Sequence, residues 1–361
     1  MSLTIALTYD LKADYEITES MPVDELAEFD SEEVIAGLEQ SMIELGHKPI
    51  RVGNLFQLVR ALAAGEHKAW DLVWNAAEGY HGTAREAQVP GLLEAWQIPC
   101  IFSNAATLAS IHDKALTKMI LAHRGVATAP FLTIRWQDEV PTLGVEEWRR
   151  RFPRLEDDLQ IFTTRIPAVF VKPTMEGSSK GIYTSNKAHS AEDLNAAIRT
   201  LRQRFPTQNL IIEPFLQGRE FSVSILGSGG EARVLGAVEF QFKPGSTTDF
   251  LALELKDDDN AWLDIIKDTK DSSIDPLVET VKTLALEAWR AIGCYDAGRV
   301  DVRCQGIGDE ARPFVLEINA LAGMCQGVSA LPLTATNAGM DYNTLVGEII
   351  HSAMQRIPTR R

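Results

Sequence analysis

Two segments of the chain carry residue types and spacings suited to chemistry on phosphate. The first, Phe170 to Tyr183, reads FVKPTMEGSSKGIY, so Lys172 closes a short apolar run and a turn rich in Gly and Ser follows. Such a turn lets backbone N–H groups close over phosphate oxygens, and a lysine ammonium reaches those oxygens as a point charge. The second, Gly298 to Met324, reads GRVDVRCQGIGDEARPFVLEINALAGM.

The second segment offers three oxygen ligands within reach of one another. Glu317 and Asn319 are two residues apart, so on a strand they share a face, and Asp301 reaches the same volume from a neighbouring strand. Two carboxylates and an amide suit Mg²⁺, which prefers a few carboxylates together with substrate phosphates. The two segments together predict a nucleoside triphosphate, a divalent cation and phosphoryl transfer.

Composition and charge narrow the class of protein. The 361 residues are 45% hydrophobic, enough for two or three packed domains. Acidic residues outnumber basic ones 50 to 35, which argues against nucleic acid or an anionic membrane as partner. We therefore expect small-molecule partners.

The compartment is predicted from what the sequence lacks. No apolar run approaches the roughly 18 residues of a membrane helix, and no basic region precedes the first apolar stretch. The four cysteines form no CxxC pair, so we expect free thiols in the cytoplasm. The sequence does not fix the oligomeric state and leaves a homodimer open.

Strands and helices alternate at the beginning of the chain, which predicts an open parallel α/β domain over residues 1–103. The predicted strands are 3–8, 47–52, 70–75 and 99–102, and the predicted helices are 31–45, 55–64 and 89–96. The acidic stretch from Asp10 to Asp30 is long for a connection in such a unit. It is either a disordered excursion or a loop that faces the substrate.

The remainder predicts an α+β arrangement in two further units. Residues 104–216 carry helices at 114–123 and 191–205, the glycine-rich loop and a strand at 209–213. Residues 217–361 contain runs typical of antiparallel strands, with helices at 276–292 and 343–356.

Several motifs in this order resemble the ATP-grasp superfamily and, within it, the D-alanine:D-alanine ligase family. The motifs are HGTAREAQVPGLLE, HDKALTK, VKPTMEGSSKG, IEPFLQGREFSV, GRVDV and LEINALAGM. The resemblance spans nearly the whole chain and implies a three-domain ATP-grasp architecture with ATP between the second and third domains. It also implies an acyl phosphate made from one amino acid, which the amine of a second then attacks.

The resemblance assigns the nucleotide side of the site. Lys172 and Lys114 are similar to the two lysines that contact the nucleotide phosphates, although a lysine on a helix surface is also common. Glu176, Gly177, Ser178 and Ser179 resemble the mobile loop, with Ser178 positioning the substrate side and not acting as a nucleophile. Glu213 and the backbone of Phe215 and Leu216 resemble the adenine hinge, Glu220 resembles the ribose carboxylate, and Lys256 lies in the lid.

The resemblance also assigns the reacting side. Asp301, Glu317 and Asn319 are similar to the ligands of Mg²⁺, with Mn²⁺ as the alternative. Arg299 and the backbone N–H of Gly323 resemble the donors that stabilise the tetrahedral oxyanion, and a purely structural ion pair is the alternative for Arg299. His81, Glu86 and Ser329 resemble residues that face the amino acid, although a lone histidine often serves only as a hydrogen-bonding side chain.

The sequence departs from the family pattern on the substrate side. The glutamate that contacts the substrate ammonium has several candidates in the acidic stretch, including Glu16, Glu25 and Glu28. In the lid, Asp257 follows Lys256 where the family carries an aromatic residue, so we expect an acceptor more polar than alanine. The alternatives are a ligase for a different amino acid or small carboxylate and a nucleotide-binding regulatory protein without catalysis.

Overall fold

The structure is a computed structural model. It describes residues 2–16, 25–138, 144, 146, 167–243, 246, 248–252, 263–267 and 275–357.

A parallel sheet begins the chain. Its strands are β1 (Thr4–Tyr9), β2 (Lys48–Gly53), β3 (Leu72–Ala76) and β4 (Cys100–Ile101), in the order β2-β1-β3-β4. The helices between them are α1 (Glu32–Glu44), α2 (Leu55–Ala64) and α3 (Gln88–Ala95). The predicted bounds of α2 are correct because its ends carry local signals: Asn54 forms a capping box with Gln57, and Gly65 closes the helix with φ 78°.

The middle of the chain forms a second sheet with its own core. Helices α4 (Ala105–His112) and α5 (Lys114–His123) lead into β5 (Leu132–Ile134), β6 (Val169–Pro173), β7 (Lys187–Ala188) and β8 (Leu210–Pro214), in the order β5-β8-β6-β7. Helix α6 (Ala191–Arg204) buries Leu194, Ile198 and Leu201 against this sheet. The glycine-rich loop leaves the end of β6 and therefore starts from a fully buried strand.

The third sheet is antiparallel, in the order β11-β10-β9-β12-β13. Its strands are β9 (Glu220–Leu226), β10 (Arg233–Phe242), β11 (Leu263–Lys267), β12 (Ala297–Gln305) and β13 (Arg312–Asn319). Helices α7 (Pro276–Ile292), α8 (Ala330–Asn337) and α9 (Tyr342–Arg356) complete this part. Trp74 and Phe102 from the parallel sheet share one apolar core with Phe221 and Trp289, so the first and third sheets are packed as one body.

The predicted fold class is confirmed. The chain begins with an α/β part built on a parallel sheet, and two α+β parts, each with its own sheet, follow. Two local details differ from the sequence prediction. The residue type of Ser31 is typical of a helix cap, yet Ser31 makes no side-chain capping bond at the start of α1. Helices α4 and α8 were not predicted, because their apolar residues have weak helical periodicity.

Candidate active site

A cavity of about 420 Å³ lies between the second and third sheets. This volume is within the range of small-molecule sites. Most of the residues proposed from sequence line it: Lys114, Lys172, Glu176, Gly177, Ser178, Ser179, Glu213, Phe215, Leu216, Glu220, Arg299, Asp301, Glu317 and Ser329. The fold therefore brings together residues separated by more than half of the chain.

Lys172, at the end of β6, contacts a carboxylate on the adjacent strand. Its Nζ lies 2.7 Å from Glu213 Oε1, and the Nζ of Lys118 on α5 lies 2.8 Å from the other oxygen of Glu213. Burial would raise the pKa of Glu213, but the two ammonium groups lower it to about 2. Burial likewise lowers the pKa of Lys118, whereas Lys172 faces both Glu213 and Glu317 and its pKa is raised.

Lys114, at the first turn of α5, joins the glycine-rich loop to the third sheet. Its Nζ lies 3.2 Å from Glu317 Oε2 and also donates to the backbone carbonyl of Glu176. Asp113 caps this helix by accepting from the N–H groups of Ala115 and Leu116, which fixes the position of Lys114. Lys114 is therefore buried between the glycine-rich loop and the third sheet.

The glycine-rich loop adopts a strained backbone. Ser178 and Ser179 have φ values of 47° and 63°, in the left-handed region that non-glycine residues rarely occupy. The N–H of Lys180 donates to Gly177 O at 2.9 Å and that of Ile182 to Ser179 O at 3.0 Å. The loop residues Glu176 to Lys180 line the same cavity as Lys114 and Lys172.

The carboxylates proposed to hold a cation lie in register on β12 and β13. Asp301 is opposite Glu317 and Arg299 is opposite Asn319, with a bulge directly after Asp301. Asp301 accepts from Ser222 Oγ at 2.6 Å and from Asn319 Nδ2 at 3.3 Å, and it lies 3.6 Å from Arg299 Nε. Because Asn319 donates through its nitrogen, its amide oxygen is left to act as a ligand.

This donor set fits a cation that shares its coordination with phosphate. Among the described residues no group of three or more His, Cys, Asp or Glu side chains could hold a metal by itself. Two carboxylates and one amide are the set that Mg²⁺ accepts when bound phosphates supply further oxygens. Burial and the nearby Glu317 raise the pKa of Asp301 to about 6 against the opposing charge of Arg299, as expected where like charges crowd.

The far end of the cavity is aromatic. Phe170, Phe215 and Phe250 pack together, with the rings of Phe170 and Phe250 at 4.9 Å and those of Phe215 and Phe250 at 5.8 Å. Arg303 lies over the Phe215 ring, donates to Leu216 O at 2.6 Å and forms an ion pair with Glu220. An apolar, ring-lined end beside a carboxylate suits a flat base joined to a sugar.

Of the three residues predicted to face the amino acid, Ser329 lines the cavity, whereas His81 and Glu86 do not. His81 is exposed, its ring packs against Tyr80, and it does not line the cavity. Glu86 is held by the ring of His112, with Nδ1 2.6 Å from Oε1. Ser329 Oγ accepts the N–H of Cys325 at 3.2 Å and would lie 3.0 Å from a side chain at Gly323, so the two are adjacent.

The three candidate glutamates of the acidic stretch have different surroundings. Glu16 is exposed, and Glu25 pairs with Arg204 at 3.4 Å. Glu28 forms a two-oxygen ion pair with Arg85 and accepts the N–H of Gly177 at 2.9 Å. The lid residues Lys256 and Asp257 lie outside the described residues.

The structure adds four residues that the sequence reasoning missed: Arg85, Lys118, Ser222 and Arg303. Each contacts a predicted site residue from another element. Arg303 had a local signal, since it is two residues from Asp301 and shares its strand face. The other three depend on contacts between distant parts of the chain, which no spacing rule reaches.

The arrangement of sheets and cavity defines an ATP-grasp protein. The crystal structure of D-alanine–D-alanine ligase from Bacillus anthracis is similar over 98% of each chain, with a TM-score of 0.68 and 20% identity. The structure of that ligase from Coxiella burnetii is similar with a TM-score of 0.65. At these identities the likeness concerns the fold.

Sequence comparison gives the family. A family model described as D-ala D-ala ligase C-terminus matches residues 120–351. A D-alanine–D-alanine ligase of Mycolicibacterium gilvum is 29% identical, covering 89% of this chain and 80% of that protein. An uncharacterized protein, y4sG, of Sinorhizobium fredii is 30% identical over 79% of this chain and 75% of its own length. The chain belongs to the D-alanine–D-alanine ligase family, which confirms the predicted family and the prediction of an ATP-dependent ligase.

Proposed function

We propose that this enzyme uses ATP and a divalent cation to join two amino acids, with D-alanine as the default for both. The observation that carries the proposal is that Asp301 and Glu317 lie opposite each other on adjacent strands. They line one cavity together with Lys114, Lys172 and the glycine-rich loop. Two lysines and two in-register acids around one cavity are what a triphosphate with its cation requires. Curated relatives named D-alanine–D-alanine ligase favour this substrate pair.

Each group then has a chemical task. Lys114 and Lys172 would hold phosphate oxygens, and Asp301, Glu317 and Asn319 would hold Mg²⁺, with Mn²⁺ as alternative, to neutralise the charge on the transferring phosphoryl group. A substrate carboxylate attacks the γ-phosphorus and ADP leaves. The ammonium of the second amino acid loses a proton to solvent, the resulting amine attacks the carbonyl carbon of the acyl phosphate, and inorganic phosphate leaves as the C–N bond forms. Arg299 with the N–H of Gly323 would stabilise the oxyanion.

The domain boundaries proposed from sequence have support from the strands. The parallel sheet ends at Ile101, before the boundary at 103, and the second sheet ends at Pro214, before the boundary at 216.

A cytoplasmic role in supplying cell-wall precursors is the physiological part of the proposal. No helix among the described residues combines the length and apolar content needed to cross a bilayer.

Glu78 is our candidate for the carboxylate that receives the substrate ammonium. It follows β3 at the carboxyl edge of the parallel sheet, where open α/β sheets bind ligands. Glu28 and Glu86 are already paired with Arg85 and His112, whereas Glu78 forms no salt bridge with any described residue. Burial, with Glu86 and Glu28 adding to it, raises the pKa of Glu78 well above its usual range, and a substrate ammonium placed beside it would lower that pKa and restore the charged acceptor.

We expect Glu78→Gln to raise the KM of the first amino acid about tenfold or more, because the ammonium loses its charged acceptor. The Kd of ATP should stay near the wild-type value. Steady-state kinetics and nucleotide titration measure both, with the exposed Glu66→Gln as control. A rise in the Kd of ATP with an unchanged amino-acid KM would remove Glu78 from this role.

The function itself is tested by phosphate release from ATP and Mg²⁺ with single and paired D- and L-amino acids. We expect release that depends on amino acids and a dipeptide detected by mass spectrometry. The acceptor panel includes D-alanine, D-serine, glycine and basic amino acids, in wild type and in Asp257→Tyr. Phosphate release that no amino acid stimulates would reject the ligase. D-alanine as the best acceptor would reject only the expectation of a polar acceptor.

A further inference from the structure

Arg85 is a buried cation that joins segments distant in the sequence. Its guanidinium donates to both oxygens of Glu28, at 2.9 and 2.8 Å, and to the backbone carbonyl of Met175 at 3.1 Å. It also lies 2.6 Å from His112 Nε2, and the other ring nitrogen of His112 contacts Glu86. Both Arg85 and Glu28 have only 7% of their side-chain surface exposed. Met175 directly precedes the glycine-rich loop.

Glu28 continues this chain of contacts into the loop. Its Oε1 accepts the N–H of Gly177 at 2.9 Å. A side-chain carbon added at Gly177 would lie 2.4 Å from the same oxygen, so the carboxylate of Glu28 occupies that space. Gly177 does not have a positive φ, so the requirement for glycine here is one of space.

The loop conformation needs such external contacts. Left-handed φ values at Ser178 and Ser179 are unfavourable for residues with a side chain, and they persist only where the surroundings impose them. Burial would raise the pKa of Glu28, yet Arg85, together with Lys180 and His112, more than offsets this and the pKa is lowered. Glu28 is thus held ionised as the acceptor of the Gly177 N–H.

We propose that Arg85 is a positioning residue which, through Glu28, fastens the glycine-rich loop to the parallel sheet and holds it closed over the cavity. Loss of the Arg85–Glu28 contact to Gly177 and Met175 then favours opening of the loop. The inference rests on the proposed function, since the loop would cover ATP. It extends that function by assigning control of the loop to the part of the chain that faces the amino acid.

Hydrogen–deuterium exchange of the loop amides tests the proposal in the absence of ligands. The reporters are the N–H groups of Gly177, Lys180 and Ile182, which are all hydrogen-bonded in the closed loop. We expect exchange to be about tenfold faster in Arg85→Met, as for loss of a charged hydrogen bond. The control is Glu39→Gln, which breaks an ion pair with Arg51 away from the loop. Unchanged protection of β12 and β13 separates loop opening from unfolding.

A double-mutant cycle between Glu28 and Gly177 keeps the test decisive if Arg85→Met folds poorly. Gly177→Ala should accelerate loop exchange in the wild type, because its methyl group meets the Glu28 carboxylate. In a Glu28→Ala background that space is free, so Gly177→Ala should add nothing.

Wild-type exchange in Arg85→Met, or additive effects in the cycle, would overturn the proposal. Failure of the amino-acid panel would instead count against the proposed function. The exchange experiment uses no ligand, so the two failures are distinguishable.

Discussion

Arg299 faces the in-register acids from the strand that also carries Asp301. It lies 3.6 Å from Asp301 and opposite Asn319, with its side chain one-third exposed to the cavity. Its alternative role as a structural ion pair makes a different prediction from its role as an oxyanion donor. The two roles separate in kinetics, because a donor used only in the transition state changes kcat.

We expect Arg299→Met to lower kcat by about 100-fold or more, as for removal of an oxyanion donor. The KM of ATP should change much less, because Lys114 and Lys172 are the residues proposed to hold the phosphates. Steady-state kinetics with ATP varied at saturating amino acid measure both parameters. An effect confined to the KM of ATP would assign Arg299 to the nucleotide.

Asp301→Asn and Glu317→Gln should each abolish most turnover while leaving the fold intact. Each substitution removes one of the two carboxylates from the proposed ligand set, so a bound cation would be held more weakly. Rates measured over a Mg²⁺ series are compared with those of Asp309→Asn, an exposed acid in the turn between the same strands. A wild-type rate at limiting Mg²⁺ in either variant would contradict the assignment.

At the scale of elements, α5 and β8 are joined by a buried ion pair. Lys118 is fully buried and contacts Glu213, which also contacts Lys172 at the end of β6. Removing one partner of a buried pair leaves an uncompensated charge, which is far more costly than losing a surface pair. The helix that presents Lys114 is therefore locked to the strand that presents Glu213.

We expect Lys118→Met to lower the free energy of unfolding by about 3 kcal/mol at neutral pH. The pKa of Glu213 is lowered to about 2, so its stabilising contribution is present above its ordinary value of 4.5 and is lost as pH falls toward 2. The variant should lose less stability than wild type over that interval. Urea denaturation at both ends of the interval measures this, with the exposed Lys68→Met as control.

For the whole molecule, one buried aspartate connects the parallel sheet, the third sheet and the last helix. Asp296 accepts from the N–H of Phe102 at 2.8 Å, from Ser352 Oγ at 3.0 Å and from Arg356 at 2.6 Å. Arg356 also donates to the carbonyl of Phe102. The end of α9 thereby fastens the parallel sheet beside the start of β12.

Asp296→Asn should lower the free energy of unfolding by about 3 kcal/mol, because Asp296 is fully buried and Arg356 loses its counter-ion. Arg233→Met, which breaks the exposed pair with Glu348, should change it by about 0.5 kcal/mol or less. Urea denaturation of both variants makes the comparison. Equal losses of unfolding free energy would show that the Asp296–Arg356 ion pair contributes no more than a surface pair.

Local signals in the sequence predicted most of the elements and the facing of the candidate cation ligands. Helices α2, α5 and α7 have the predicted bounds, because caps and terminal glycines act within one turn. The facing of Asp301 and Glu317 followed from strand periodicity, and the register of β12 with β13 agrees with it. These inferences needed only neighbours along the chain or the shared face of adjacent strands.

Tertiary structure alone decided which acids are free and which are already paired. Arg85 meets Glu28 across 57 residues, and Glu28 meets Gly177 across 149. Periodicity describes one element at a time, so it could not choose among Glu16, Glu25 and Glu28 or suggest Glu78. The choice depends on desolvation and on nearby charges, and both are set by the packing of distant segments.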